Sequence, residues 1–462
     1  MKKKAAIIGG GVIGGGWAAR FLLMGWDVAV FDPAPDAARK VGEVLDGARR
    51  ALPMLYDRAL PPAGELRFAD TLADALDGSD WVQESVPERL DLKHRLLGDI
   101  QSVVPPGTLI GSSTSGFMPS ELQERAPHPK DILVAHPFNP VYLLPVVEVV
   151  GSAATPPETL DRADAVLRDI GMAPLRVRRE IPAHIADRLL EAVWREALWL
   201  VKDGIATTAE IDEAIRLGFG LRWAQMGLFE TYRIAGGEAG MAHFIGQFGP
   251  ALKWPWTKLM DVPELTDDLI ATIAAQSDAQ SGALSIRELE RLRDDNLIAM
   301  MRALRQQGAA AGQVLRDHEV TLDSTFEAGP PMVTLRRTIP VDWTDYNGHM
   351  NESRYGQVVS DAADAVMLHV GVDEGYIAEG HSFFTVETSI SYKAECHAGD
   401  TIEVRTEVQE AAGKKLSLAH EIWRGETLAA TATQLLIHVS LETRRACEPL
   451  PRVAAAMTAL LD

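Results

Sequence analysis

Cysteine is nearly absent: the chain has two, Cys396 and Cys447. Two thiols build neither a disulfide framework nor a cysteine-based zinc site, and no metal is expected. No run of about 18 apolar residues occurs, so no membrane-spanning helix is expected. The N-terminal MKKKAAII is followed at once by glycines, which argues against a secretory signal and for a cytoplasmic protein. Positive charge is also scarce. Lys and Arg number 45 against 65 Asp and Glu, a formal charge of −20. Nucleic acid and anionic membranes are bound by basic surfaces, so neither is expected as a partner. Aromatics make up only 6% of the chain, yet Trp (10) outnumbers Tyr (7). Trp194, Trp199, Trp223, Trp254 and Trp256 are crowded into one segment.

What is present is length and a change of texture along it. At 462 residues the chain exceeds one core, and two to four domains are expected. Short apolar runs at 4–8, 27–31, 81–85, 107–113, 131–136 and 145–150 alternate with helical patterns. Such alternation predicts a parallel, doubly wound α/β sheet over residues 1–181. From 182 to 317 the apolar spacing is helical throughout, predicting an all-α domain. Residues 318–331 lose periodicity and end in Gly-Pro-Pro, which reads as a linker. From 332 to 462, five alternating strands surround one helix near 353–370, predicting an α+β domain.

Gly9, Gly11 and Gly14 fit GxGxxG after a strand and at the start of a helix. Asp32 ends the next strand, 18 residues beyond Gly14. In that context the glycines make a tight turn, a close approach to pyrophosphate and close helix packing. The helix start, with Val12 and Ile13, offers free N–H groups to phosphate. Asp32 would accept from the ribose 2′-OH and repel a 2′-phosphate, so NAD is expected. His136 ends a predicted strand, and Glu148 follows on the next. An imidazole takes the proton of an alcohol, and a carboxylate orients it and stabilises the imidazolium. Ser115 lies in a strand-to-loop turn and could bond the same hydroxyl.

With ESVPE (84–88), STSG (113–116), HPFNP (136–140) and VEVV (147–150), residues 1 to about 315 resemble the 3-hydroxyacyl-CoA dehydrogenase family. The resemblance implies a His136–Glu148 dyad, substrate contact by Ser115 and Glu84 among the cofactor residues. The family carries a catalytic Asn on the first helix of its helical domain. Here HIADRLLEA puts Asp187 at that position. An anionic side chain there suits a cationic substrate. The segments at 220–240 and 248–265 resemble the L-carnitine dehydrogenase branch, implying L-carnitine as substrate. Quaternary ammonium is bound by aromatic faces with a carboxylate nearby. Trp223, Phe229 and Tyr232 are candidates for that cage, and Arg222 for the substrate carboxylate. Alternatively these aromatics fill a helical core or a dimer interface. Trp194 and Trp199 are expected to face the core.

VDWTDYNGHMNESRYG (341–356) holds D-x-x-G-H-x-N at Asp345, Gly348, His349 and Asn351. It resembles the hotdog-fold acyl-CoA thioesterase family over about 331–445. The resemblance implies Asp345 as base or nucleophile, and Gly348 and His349 N–H groups polarising the thioester carbonyl. It also implies that Asn351 positions water or carbonyl. Together the two resemblances imply carnitine oxidation and betainyl-CoA hydrolysis, on either side of a cleavage step absent from this chain, and a homodimer. Two other readings stay open: a 3-hydroxyacyl-CoA dehydrogenase fused to a general thioesterase, and a non-catalytic NAD-binding dimer.

Overall fold

The structure is a computed structural model. It describes residues 2–235, 238, 240–248, 255–258, 261, 264–322 and 325–461. Two compact units form: Met1–Arg49 with Pro62–His318, and Arg50–Pro61 with Glu319–Asp462.

The first unit opens on a sheet of β1 (Lys4–Ile8), β2 (Asp27–Phe31), β3 (Leu66–Phe68), β4 (Trp81–Glu84), β5 (Leu109–Ser112), β6 (Ile132–Pro137), β7 (Val146–Val150) and β8 (Ala173–Val177). Their order is β3-β2-β1-β4-β5-β6-β7-β8. Helices α1 (Val12–Leu23), α2 (Ala37–Ala51), α3 (Leu72–Leu76), α4 (Leu90–Val103), α5 (Pro119–Gln123) and α6 (Pro157–Asp169) alternate with the strands. Ala6, Val82, Ile110, Ile132 and Val150 form part of the core on the sheet. Each of the Val and Ile side chains contributes roughly 1.5–3 kcal/mol by leaving water.

One expectation needs correction: the sheet is mixed. β6 and β7 run antiparallel, while the other pairings in this sheet are parallel. The cause is the connection. Only residues 138–145 join the two strands, too few for the crossover a parallel pair requires. The reversal sets His136 directly across from Glu148 in the strand register.

A helical region follows: α7 (Ala186–Lys202), α8 (Thr208–Ala214), α9 (Gly220–Ala235), α10 (Gly240–Phe248), α11 (Asp267–Ser281), α12 (Ile286–Gln307) and α13 (Ala310–Glu319). α7 starts three residues later than its apolar pattern. Ala183 and His184 hold left-handed φ values of 60° and 50°, which no continuous helix accommodates. A second correction concerns α7's apolar residues. They cover more than one face, and this unit buries only Leu198 and Val201. Trp194, expected in the core, is 54% exposed, and Leu189 and Leu190 are exposed beside it.

In the second unit, β9 (Met332–Thr338) precedes α14 (Glu352–His369) and α15 (Glu374–Ala378). Strands β10 (His381–Tyr392), β11 (Thr401–Ala412), β12 (Lys415–Arg424), β13 (Thr427–Ser440) and β14 (Arg445–Ala446) follow, then α16 (Pro451–Thr458). The sheet is antiparallel, ordered β10-β13-β12-β11-β9 with β14 beside β13. Tyr355, Val358, Val359, Ala362, Ala363 and Val366 make the buried stripe of α14, spaced at helical period. The stripe packs on Leu335, Ile402, Val404 and Ile422 of the sheet. A long helix cradled by an antiparallel sheet is the hotdog arrangement.

The stretch 318–331 is more structured than a linker. α13 runs to Glu319, Phe326 stacks on His369 with centroids 4.3 Å apart, and Glu327 bridges Val333. Residues 50–61 lie between α2 and β3 in sequence yet belong to the second unit. There Arg337 donates to the Asp57 carbonyl at 3.0 Å and to the Asp361 carboxylate at 2.7 Å. Among the described residues, no helix is long and apolar enough to cross a membrane.

Candidate active sites

The glycine loop follows β1. Gly9 has φ 104°, and a Cβ there would lie 2.6 Å from the Ser85 carbonyl oxygen. A Cβ on Gly14 would lie 1.8 Å from the Gly9 oxygen. Around Gly11 the same construction meets nothing within 4 Å. Two glycines are thus enforced by close contact, and the third opens onto free space. α1 begins at Val12 and Ile13 with no side-chain cap, which leaves its N–H groups for an anion. Asp32 accepts the Gly10 N–H at 2.6 Å and the Ala34 N–H at 2.8 Å, so its carboxylate stands against the loop. These residues fit a dinucleotide with an unmodified ribose.

Glu84, expected at the cofactor, has its carboxylate engaged inside the unit. Its carboxylate is fully buried, pairs with Lys93 at 2.8 Å and accepts from Ser112 and the Val86 N–H. Lys93 is buried too, so the pair satisfies itself inside the unit, as a buried charge must. Glu84 braces the turn after β4.

The register of β6 and β7 brings the dyad together. His136 Nδ1 lies 3.0 Å from Glu148 Oε2. Since a carboxylate only accepts, Nδ1 carries the proton and Nε2 presents a lone pair. The Ser115 hydroxyl lies 3.1 Å from that Nε2 and donates to it. The other Glu148 oxygen accepts the N–H groups of Ile185 and Ala186, at 2.8 and 2.9 Å, at the start of α7. Asp187, one residue on, places Oδ2 3.9 Å from His136 Nε2. The open side of the base therefore carries a negative charge.

His184 is a residue the sequence reasoning missed. It is fully buried, its ring centroid 5.7 Å from that of His136. Its Nε2 donates to the Thr114 carbonyl at 3.2 Å, and Nδ1 has no partner among the described residues. Burial holds this imidazole below its ordinary range, against the opposing pull of the Thr114 bond. Its one sequence signal was its place beside Asp187.

The aromatic candidates are more scattered. Trp223 packs on Phe219 with centroids 4.6 Å apart, and its buried indole N–H has no partner among the described residues. Phe229 is 74% exposed, and Arg222 is exposed. Tyr232 stacks on Phe244 at 4.7 Å. No hydrogen bond or ring contact among the described residues joins these four to His136, Glu148 or Asp187. Trp254 lies outside the described residues. Trp199 already holds cations of its own chain: Lys258 Nζ sits 3.8 Å and Lys202 Nζ 4.4 Å from its ring centroid.

In the second unit Asp345 sits in a tight turn before α14. Its Oδ1 accepts the N–H groups of Asn347 (2.8 Å) and His349 (3.2 Å). Desolvation pulls its carboxyl upward, but these N–H bonds prevail and hold it below the ordinary range. The expected use of backbone N–H groups at 348 and 349 needs correction. Gly348 donates to the Asp345 carbonyl at 3.0 Å and His349 to its carboxylate, so both are engaged. Asn351 caps α14, its side-chain oxygen accepting from the Ser353 N–H at 3.0 Å and the Ser353 hydroxyl at 2.6 Å. His349 Nε2 lies 3.3 Å from a Glu395 oxygen. An open cleft of about 370 Å3 joins Asp345 and His349 to Glu352, Tyr355, Tyr392, Lys393 and Glu395.

Residues 4–181 match the family described as 3-hydroxyacyl-CoA dehydrogenase, NAD binding domain, and 184–266 its C-terminal domain. Residues 339–457 match the thioesterase-like superfamily. A protein of Ruegeria pomeroyi named L-carnitine dehydrogenase/betainyl-CoA thioesterase is 60% identical, covering 99% of this chain and 96% of that one. A Mesorhizobium japonicum protein named L-carnitine dehydrogenase is 58% identical, over 68% of this chain and 88% of its own length. A crystal structure of an NAD+-dependent pyridine carboxylic acid 5-dehydrogenase is 28% identical with a TM-score of 0.55, covering 66% of this chain and 99% of that one.

Glu148 yields a test that reads both catalysis and stability. Desolvation raises its carboxyl, but bonds from His136, Ala186 and Ile185 outweigh it and hold it below its ordinary 4.5. A carboxyl depressed in the fold adds stability above its unfolded value and loses it as pH falls. Glu148→Gln should lower turnover by about 100-fold or more. It should also lower Tm at neutral pH, with the gap to wild type narrowing below about pH 4.5. Thermal melts across that range check the sign, and a gap that stays constant contradicts it.

Proposed function

The chain belongs to the family of fused L-carnitine dehydrogenase/betainyl-CoA thioesterases, and from that premise we propose how its two sites divide the chemistry. The first unit oxidises L-carnitine to 3-dehydrocarnitine with NAD. The second hydrolyses betainyl-CoA to glycine betaine and CoA. The observation that carries this reading is the Asp187 carboxylate beside Nε2 of His136.

Carnitine bears its quaternary nitrogen two bonds from the carbinol carbon, about 2.5 Å away. A group that faces the hydroxyl therefore also faces the cation. Gly9, Gly11, Gly14, the start of α1 and Asp32 would hold NAD, which when bound supplies the two-electron acceptor. His136 Nε2 takes the proton of the 3-hydroxyl. Glu148 stabilises the resulting imidazolium through Nδ1, and its anchorage on α7 keeps the ring oriented. Ser115 bonds the substrate oxygen. Asp187 offers charge to the trimethylammonium and disfavours an anionic chain. Trp223, Phe229, Tyr232 and Arg222 are second candidates for the two ends of carnitine.

In the thioesterase site, two N–H bonds fix Asp345 Oδ1. Among the described residues Oδ2 keeps only a 3.5 Å contact from Asn347 and is the oxygen left to act. It takes a proton from water as the water oxygen bonds to the thioester carbon. The C–S bond then breaks, and the thiolate of CoA leaves and is protonated. His349 lines the same cleft, and Asn351 holds the start of α14 in place.

Use of NAD and CoA esters fits a cytoplasmic enzyme. The exposed Leu189, Leu190 and Trp194 of α7 support a homodimer.

NADH formation followed at 340 nm, with L-carnitine and with 3-hydroxybutyryl-CoA, tests the first assignment. Turnover of carnitine is expected, and turnover of the CoA ester alone contradicts it. For the second, Asp345→Ala should cut thiol release from betainyl-CoA by about 100-fold or more, with far-UV circular dichroism unchanged. Full activity in that variant removes Asp345 from the chemistry.

A further inference from the structure

Betainyl-CoA sets a geometric condition on the thioesterase cleft. Its quaternary nitrogen lies two bonds from the thioester carbon, about 2.5 Å away. Any group that attacks that carbon works beside the cation, so the partners of the cation must line the same cleft as Asp345. A trimethylammonium has no N–H to donate. It is held by the face of an aromatic ring and by nearby negative charge.

The cleft offers both. Its lining includes three carboxylates, Asp345, Glu352 and Glu395, against one lysine, Lys393. Two tyrosines, Tyr355 and Tyr392, line the cleft with His349, Met350 and Ala394. Tyr355 is buried in the core at 4% exposure. It packs edge-on against Tyr392, with centroids 5.1 Å apart at 82°. The buried ring fixes the second, which is 53% exposed at the end of β10. The Tyr392 hydroxyl reaches the Glu352 carbonyl at 3.5 Å, which adds a further restraint. Glu395 follows three residues on, its carboxylate 3.3 Å from His349. Asp345, the Tyr392 ring and the carboxylates of Glu352 and Glu395 thus line one cleft.

We propose that Tyr392, braced by Tyr355 and joined by Glu395, is the quaternary-ammonium subsite of the thioesterase. It selects betainyl esters over uncharged acyl groups of the same shape. This rests on the betainyl-CoA reading above, and it is separate from the aromatic residues of the helical region.

The test uses the full chain and two esters, betainyl-CoA and tert-butylacetyl-CoA. The second replaces the quaternary nitrogen by carbon and keeps the shape. Thiol release gives kcat/KM for each. Wild type should prefer the betainyl ester by about 10-fold or more. Tyr392→Leu and Glu395→Gln should each reduce that ratio by about 3- to 30-fold, the range of a cation–π or local charge contribution. Tyr392→Phe keeps the ring face and should keep the ratio. Equal efficiency of wild type on both esters overturns the subsite alone. So does a parallel loss on both esters in the variants, which marks a structural role. Failure of wild type to hydrolyse betainyl-CoA, with other acyl-CoA esters cleaved, overturns the underlying reading and the subsite with it.

Discussion

The first unit depends on the carboxylate of Glu148. One of its oxygens takes the proton side of His136, and the other takes the N–H groups of Ile185, just before α7, and of Ala186, its first residue. A buried carboxylate is costly unless several donors meet it, and here three do. The positive end of a helix adds to that stabilisation. The same anchorage fixes where α7 begins and so where Asp187 stands. It also accounts for the left-handed turn at Ala183 and His184, which lets the chain reach the carboxylate before the helix starts. Catalytic orientation, helix placement and charge on the substrate side thus trace to one side chain.

The two reactions share a demand that bulk charge does not meet. Each substrate carries a fixed cation two bonds from the carbon that reacts, so recognition and chemistry have to be neighbours. In our proposal that neighbour is Asp187 in the dehydrogenase site, 3.9 Å from the base. In the thioesterase cleft we assign the same part to the Tyr392 ring and the carboxylates that line the cleft with Asp345. The formal charge of −20 is spread over the chain and selects neither site. Aromatic rings elsewhere show how easily such a surface is used up internally. Trp199, with two lysines over its ring, has already found its cations.

Much of this was legible in sequence because local rules wrote it. The glycine loop, Asp32 and the fold class of each region follow from spacing and periodicity. The stripe of α14 is likewise a matter of helical period. What escaped was set by long-range contact. The strands that carry His136 and Glu148 were expected to run parallel, and only the short connection makes them antiparallel and cross-strand partners. Glu84 lies within a family motif, but its burial depends on Lys93 on a different element. Periodicity marked Trp194 as apolar without saying whether its own unit would cover it. The N–H groups at 348 and 349 lie where the motif puts them, but their partner, Asp345, is decided by the closure of the turn. Residues 50–61 carried no signal of the unit they join.

The central claim is that the dehydrogenase site recognises a fixed positive charge through Asp187. The most direct measurement compares kcat/KM for L-carnitine and the isostere that lacks its cation, 3-hydroxy-5,5-dimethylhexanoate, in wild type and in Asp187→Asn. The account predicts a strong preference for carnitine in wild type that shrinks by about 10-fold or more in the variant, as expected for the loss of one short-range charge contact. A preference that survives the substitution intact contradicts it and moves recognition of the cation elsewhere in the helical region.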